Sequence, residues 1–270
     1  MVGLALRPEI DRMIDLHCHP LPGLDDGPAS TQQALAMLRR AHDAGIRTMV
    51  ATPHVSAGYP RNRASDVHSG VVALQAEAVA AGIDMRIQAG AELELMHREV
   101  LRDHELPGLR LGEGPYTLVE LPFTATAHFA EMLLGMHHDV QPALLAHPER
   151  CRAFHEDPDL LGRLVGQGML AQVTATSIAG SYGSTVQRCV WTMFEQGLVH
   201  VIASDSHDAI ARPPLMREPL EAAGLGGMVA LLCERNPEAI LAGERPTPAP
   251  PVTPPRPSRR WRLRSALSRR

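Results

Sequence analysis

Short apolar runs alternate with longer amphipathic stretches through most of the chain. Met13, Ile14 and Leu16 open a strand on which Asp15, His17 and His19 share the odd-numbered face, because extended side chains alternate with period two. Ser30 is an N-cap for a helix running to Ala44, with Leu35, Leu38 and Ala41 on one face and Gly45 ending it. Six more apolar runs predict strands at 48–52, 85–91, 116–121, 143–146, 169–174 and 200–204. An exposed loop at 57–63 leads into a helix ending near Ala81, and helical patterns recur near 127–138, 157–167 and 184–196. Residues 215–243 read as closing helices, the last beginning at Asn236-Pro237-Glu238. Alternating strands and helices predict parallel strands joined by helical crossovers.

The ends of these strands carry the chemistry. The first delivers His17 and His19, followed by a Gly23-Leu24-Asp25-Asp26-Gly27 turn presenting two carboxylates. Later strands deliver His54, Glu92, Glu120 and His147, then Asp205 with His207, so six of the seven end in a candidate ligand. In a closed parallel barrel all strand ends meet on one face, and residues nearly 200 apart in sequence converge there. Glu120 stands among Leu118, Val119 and Leu121, and a buried carboxylate needs a partner.

The nine candidates are His17, His19, Asp26, His54, Glu92, Glu120, His147, Asp205 and His207. They are too many for one ion and suit two or three, with a carboxylate such as Glu92 bridging. Imidazole and carboxylate without thiolate suits Mn²⁺, Fe or Zn²⁺. Such a cluster activates water and clamps an in-line phosphoryl displacement. Arg150 and Arg212 are placed to bond phosphate oxygens, and losing Asp205 or His207 is expected to abolish catalysis. Other histidines read as ordinary: His137 and His138 on a helix, His42, His68, His97 and His104 in solvent. Met132 and Met136 read as core filling, and the Ser-, Thr- and Gly-rich stretch 174–183 as a loop at the site mouth.

Composition narrows the classes. At 270 residues with 44% hydrophobic and 21% charged positions, the chain can bury one barrel-sized core. No apolar run approaches a membrane span, and the first ten residues do not read as a signal peptide. Cys18, Cys151, Cys189 and Cys233 form no Cys-x-x-Cys pair, which points to reduced thiols and a cytoplasmic location. None has an arginine six positions on, so cysteine-dependent phosphatase chemistry is excluded. All 26 basic residues are arginine. Residues 245–270 hold eight of them and no acid, leaving 18 against all 30 acids in the body, or about +8 in the tail and −12 in the body. The acidic body and 3% aromatic content argue against nucleic acid. Seven prolines between Pro246 and Pro257 predict a disordered tail over 244–270 after a domain at 13–243. Within it, Trp261, Leu263 and Leu267 among arginines at 256–270 could touch an anionic membrane at the inner face, though a solvated tail is an equal reading.

Taken together, His17-x-His19, Thr52-Pro53-His54, Gly90-x-Glu92, His147-Pro148-Glu149-Arg150 and Ser204-Asp205-x-His207 resemble the PHP (polymerase and histidinol phosphatase) superfamily. Ile14-Asp15-x-His17-x-His19, Asp25-Asp26-Gly27 and Asp205-x-His207 followed by Arg212-Pro213 resemble the bacterial tyrosine phosphatases of the CpsB/CapC type. The resemblance implies a distorted (β/α)₇ TIM-like barrel and a trinuclear site, usually manganese-dependent. It also implies a phosphotyrosine-bearing bacterial tyrosine kinase of capsule or exopolysaccharide export as partner. By position, His17, His19, Glu92 and Asp205 would hold one metal, Glu92, Glu120 and His147 a second, and Asp26, His54 and His207 a third. The Pro/Arg tail has no counterpart in that pattern.

The rivals are a PHP phosphoesterase acting on a small monoester such as histidinol phosphate, and a non-catalytic metal-stabilised scaffold with an anion-binding tail. An amidohydrolase with a carboxylated bridging lysine is excluded, since no lysine occurs. A homo-oligomer is left open.

Overall fold

A computed structural model describes residues 12–100, 105–136, 140 and 142–253. Nine strands follow one another: β1 (Met13–Cys18), β2 (Ile46–Ala51), β3 (His54–Val55), β4 (Arg86–Ala89), β5 (Glu92–Glu94), β6 (Thr117–Glu120), β7 (Ala143–Ala146), β8 (Leu170–Thr174) and β9 (Val201–Ala203). Between and after them come α1 (Thr31–Asp43), α2 (Ala64–Ala80), α3 (Ala127–Met136), α4 (Arg152–Glu156), α5 (Leu160–Gly166), α6 (Ala175–Ile178), α7 (Ser184–Glu195), α8 (Arg217–Ala222) and α9 (Asn236–Leu241). All pairings are parallel, in one sheet ordered β1-β2-β4 and another ordered β3-β5-β6-β7-β8-β9.

The two sheets are one wall broken twice. The expected strand at 48–52 runs on as β2 and β3, interrupted at Thr52-Pro53, because proline has no amide to continue the ladder. The expected strand at 85–91 breaks at Gly90-Ala91 into β4 and β5, and Glu92 N bridges the gap by donating to Pro53 O at 3.2 Å. Counted as continuous staves these make seven, the distorted (β/α)₇ barrel expected. The wall closes between its first and last staves: Asp205 N donates to His17 O and His19 N to Ser206 O, both at 2.9 Å.

One expectation about β1 fails. Asp15 pairs with Met49 and Cys18 with Ala51, so three steps oppose two and the period-two count resets at a β-bulge. Asp15 therefore does not share a face with His17 and His19. Its buried carboxylate accepts from Ser204 N at 3.0 Å and from Ser204 Oγ, tying β1 to the end of β9.

Two apolar layers hold the barrel. Inside it, Leu16, Val50, Leu118, Leu144, Leu170 and Val201 meet at the axis and are sealed below by Leu111 and Ile240 of α9. Outside it, Met49, Val119, Leu145, Val173 and Ile202 pack under helical residues such as Leu38, Leu74, Leu164 and Phe194. Ser30 caps α1 as expected, its side chain accepting from Gln33 N.

The tail begins later than composition suggested. Residues 244–253 strap across the barrel: Ala249 N donates to Val199 O at 2.7 Å and Val252 N to Phe194 O at 3.1 Å, with Ala249 buried. Asn236 Nδ2 holds both His200 O and Thr247 O at 2.6 Å. Prolines suit such a strap, since an extended segment needs few amides of its own. Residues 254–270 lie outside the described residues, and so do His104, His137 and His138. His97, expected in solvent, is buried, whereas Met132, expected in the core, is 45% exposed. Among the described residues no helix is long and apolar enough to cross a membrane.

Candidate metal and phosphate site

All nine candidate ligands converge at the C-terminal ends of the staves. Glu92 at the start of β5 is the hub. Its Oε2 lies 3.0 Å from His54 Nδ1, 3.3 Å from His17 Nε2 and 3.5 Å from His19 Nε2, and its Oε1 lies 2.8 Å from His147 Nε2. Glu120 at the end of β6 reaches to 3.6 Å from the same His147 nitrogen. Asp205 Oδ1 stands 3.6 Å from His17 Nε2 and 3.7 Å from His19 Nε2. On the far side, Asp26 Oδ1 is 3.1 Å from His207 Nε2 and 3.5 Å from His54 Nε2. Expectation grouped Asp26 with His54 and His207, and His19 joins them in space. His17, His19 and Asp205 form a second group, while Glu92 groups with His17 and His147 on one side and with His54 and Glu120 on the other.

Groups beneath the ligands set their orientation. Asp25 Oδ2 lies 2.7 Å from His19 Nδ1, and its carboxylate also accepts from the amides of Gly27 and His54. Gln172 Oε1 lies 2.9 Å from His17 Nδ1. Each contact leaves Nε2 turned inward, which is how a second shell presents histidine to a cation. Sequence reasoning did not assign these two roles. The signal for Gln172 was an amide inside the apolar run of β8, the same kind of signal that marked Glu120. With Gln172, every stave contributes a polar group to the site.

Electrostatics fit a cation. Four carboxylates (Asp26, Glu92, Glu120, Asp205) crowd together, and burial with the Glu92 charge pushes Glu120 well up. Burial lowers His19 to about 4 despite Asp25, and lowers His147 as well, keeping both neutral with lone pairs to give. Burial opposes charge on His17 and His54, but Glu92 with Asp205 and Asp26 with Glu92 outweigh it and raise them to about 9 and 11. Glu92 Oε2 and His207 Nε2 are buried and have neighbours at 3.0 and 3.1 Å, but the angles of these contacts are poor for hydrogen bonds. Imidazole nitrogens crowding one carboxylate oxygen in this way form a donor set for shared divalent ions.

His147 and Asp205, at φ 29° and 51°, are the two non-glycine residues with positive φ among the described residues. Such conformations cost about 1–3 kcal/mol each and concentrate at functional sites.

The edge of the cluster is cationic. Arg150 Nη1 donates to Asp205 Oδ2 at 2.7 Å and Arg212 Nη2 to the same oxygen at 2.9 Å. Asp205 thus faces the histidines with one oxygen and both guanidinium groups with the other. The stretch expected as a loop at the mouth contains α6 and then Tyr182, whose ring lies 4.6 Å from the Arg150 guanidinium carbon. All four cysteines are buried thiols. Burial raises Cys18 well above its ordinary range, Cys151 to about 11, Cys189 to about 12 and Cys233 further still, so none offers a thiolate.

Known proteins resemble this chain in sequence and in fold. The chain is 35% identical over 205 residues to the tyrosine-protein phosphatase YwqE of Bacillus subtilis, covering 74% of this chain and 79% of YwqE. It is 27% identical over 216 residues to the tyrosine-protein phosphatase CpsB of Streptococcus pneumoniae, covering 76% of this chain and 87% of CpsB. A chain from the crystal structures of YwqE and CpsB, described as unique metal-dependent tyrosine phosphatases, superposes with a TM-score of 0.75 at 29% identity, over 91% of this chain and 100% of that one. A lactonase from Listeria monocytogenes, 11% identical with a TM-score of 0.53, shares the fold alone. The family of capsular polysaccharide synthesis, CpsB/CapC, matches residues 13–242, and the chain belongs to it.

Proposed function

We propose that the protein is a metal-dependent protein-tyrosine phosphatase acting on a tyrosine kinase of capsule or exopolysaccharide synthesis, with water as nucleophile and no covalent intermediate. The observation that carries this reading is the pair of arginines converging on Asp205 at the rim of the histidine–carboxylate cluster. The names of the relatives support the same activity.

On their pairwise distances, His17, His19, Glu92 and Asp205 would hold one ion, Glu92, Glu120 and His147 a second, and Asp26, His54 and His207 a third, with Mn²⁺ the favoured metal and Fe or Zn²⁺ the alternatives. When bound, such ions supply Lewis acidity that makes water a nucleophile near neutral pH and offsets charge on phosphoryl oxygens. The chain's own residues do the rest. Arg150 and Arg212 share one carboxylate oxygen and gain separate charge-assisted acceptors when a phosphate enters. Burial works against charge on Arg212, but Asp205, Tyr182 and Asp26 raise its pKa, so it stays cationic for an anion. Asp25 and Gln172 keep the imidazoles aimed inward throughout. A tyrosine phenolate, with a conjugate acid of pKa about 10, leaves more readily than a serine alkoxide.

The testing experiment compares rates on a phosphotyrosine peptide, histidinol phosphate and a phosphodiester, with Mn²⁺ restored after chelation. Preference for the peptide and dependence on metal are expected. Faster turnover of histidinol phosphate, or full activity of the chelated protein, would sink the proposal. The basic segment 256–270 is proposed to hold the enzyme near an anionic cytoplasmic membrane face, raising its concentration near such a kinase. Removing it should reduce binding to anionic vesicles at low salt; equal binding with and without it rejects that role.

A further inference from the structure

Aromatic side chains are scarce here: four phenylalanines, three tyrosines and two tryptophans in 270 residues. Three of them nevertheless touch the site. Tyr59 stacks on His54 with ring centroids 5.7 Å apart and planes 6° from parallel. Phe123, just beyond β6, has its ring 5.5 Å from that of His147 and 4.5 Å from the Arg150 guanidinium carbon. Tyr182, beyond α6, meets the same guanidinium at 4.6 Å. Among the described residues, three of eight aromatics lie against candidate ligands and Arg150.

Phe123 does not belong to the core. Phe154 and Phe194 are buried, while Phe123 is 42% exposed. Core packing accounts for a buried phenylalanine and not for a large apolar ring left half in water. Five of the candidate ligands lie deeper, with His17, His19, Glu92, His147 and Asp205 at most 2% exposed, whereas Asp26 shares the open rim. A substrate whose phosphate reaches these groups must pass its next atoms along the rim where Phe123 stands.

We propose that Phe123 is the specificity-determining residue for aryl phosphates: its ring receives the phenyl group of the substrate while Arg150, held by Asp205 at 2.7 Å, takes the phosphate. The inference rests on the phosphatase reading above and adds to it a reason for choosing aryl over alkyl monoesters. Offset or edge-to-face contact between two rings is worth enough to favour the aryl substrate several-fold, and a short alkyl chain has no ring to place there. Phe123 also lies over a fixed cation, which pins its orientation before substrate arrives.

The test uses the full-length, metal-loaded protein and two substrates of one peptide sequence, carrying phosphotyrosine or phosphoserine. In Phe123→Leu the aryl-to-alkyl ratio of kcat/KM should fall about fivefold to tenfold, mainly through KM for the phosphotyrosine peptide. Competitive inhibition by inorganic phosphate, which reads the metals and the arginine pair without any ring, should not weaken. Phe123→Tyr, which keeps a ring, should restore the ratio. An unchanged ratio in Phe123→Leu overturns the inference. Weaker phosphate inhibition in parallel with the loss also overturns it, since Phe123 would then merely prop Arg150. Wild-type protein inactive on phosphotyrosine overturns the phosphatase reading itself, a result distinct from either.

Discussion

Asp25 and Asp26 are neighbours with different tasks, and the difference is set by the partners each carboxylate faces. Asp25 grips His19 Nδ1 and two backbone amides, while Asp26 faces His54 and His207. Asp25→Asn should leave the fold intact but weaken metal affinity about 10- to 100-fold, read by metal content after dialysis, because His19 loses its orienting partner. Arg150→Ala and Arg212→Ala should do the opposite. Metal content stays, and kcat/KM falls about 10- to 100-fold as one charge-assisted bond worth about 1.5–3 kcal/mol is lost. An arginine variant with wild-type kinetics would remove that residue from the phosphate site. At this scale the sequence was informative wherever a polar residue interrupted an apolar strand end, as for Glu120 and His147. It was silent about Asp25 because a turn with two adjacent carboxylates does not say which one points down. It misjudged Asp15 because a bulge shifts the alternation without any residue type announcing it.

The broken staves show how elements set the site. The kink at Gly90 lets β5 leave the line of β4 and carry Glu92 to the hub, and a Cβ at Gly90 would stand 2.8 Å from Val50 Cγ1 and 3.2 Å from Leu111 Cδ2. Gly90→Ala should therefore cost about 1–3 kcal/mol, lowering Tm by about 2–10 °C, and should reduce activity at temperatures where the variant is still folded. Unaltered Tm and rate would mean the neighbours give way freely. The strap at 244–253 offers a second measurement. Truncation after 253 should leave Tm nearly unchanged. Truncation after 244 should lower it, because Asn236 loses its contact with Thr247 O while Val199 and Phe194 lose amide donors. Equal Tm for the two truncations would show that the strap adds nothing. Proline content had marked the whole stretch as one tail, yet composition reports only the lack of helix and sheet, and an extended segment can still be held by neighbouring carbonyls and amides.

For the whole molecule, acid sensitivity follows from His200, remote from the metal cluster and 1% exposed. Burial lowers its pKa from 6.5 to about 4, with a backbone bond from Leu198 opposing and the Arg245 charge on the strap assisting. Between those values the unfolded chain binds a proton that the folded chain refuses. Stability is thus full above pH 6.5 and declines towards pH 4, by about 3 kcal/mol in all. His200→Gln, which keeps an acceptor for the Ala171 amide, should lose less urea resistance between pH 7 and 4.5 than the wild type does. Identical losses would place the acid sensitivity elsewhere. The seam between the first and last staves has a further consequence, for how the protein is made. His17 and His19 leave the ribosome almost 190 residues ahead of Asp205 and of the Ser204 that grips Asp15. At about 5–20 residues per second, the opening histidines wait roughly 10–40 seconds for their partners. Until the last stave docks, the nascent chain presents only a fragment of the chelating set, so a full set of ligands exists only once β9 and the residues after it have emerged and closed against β1.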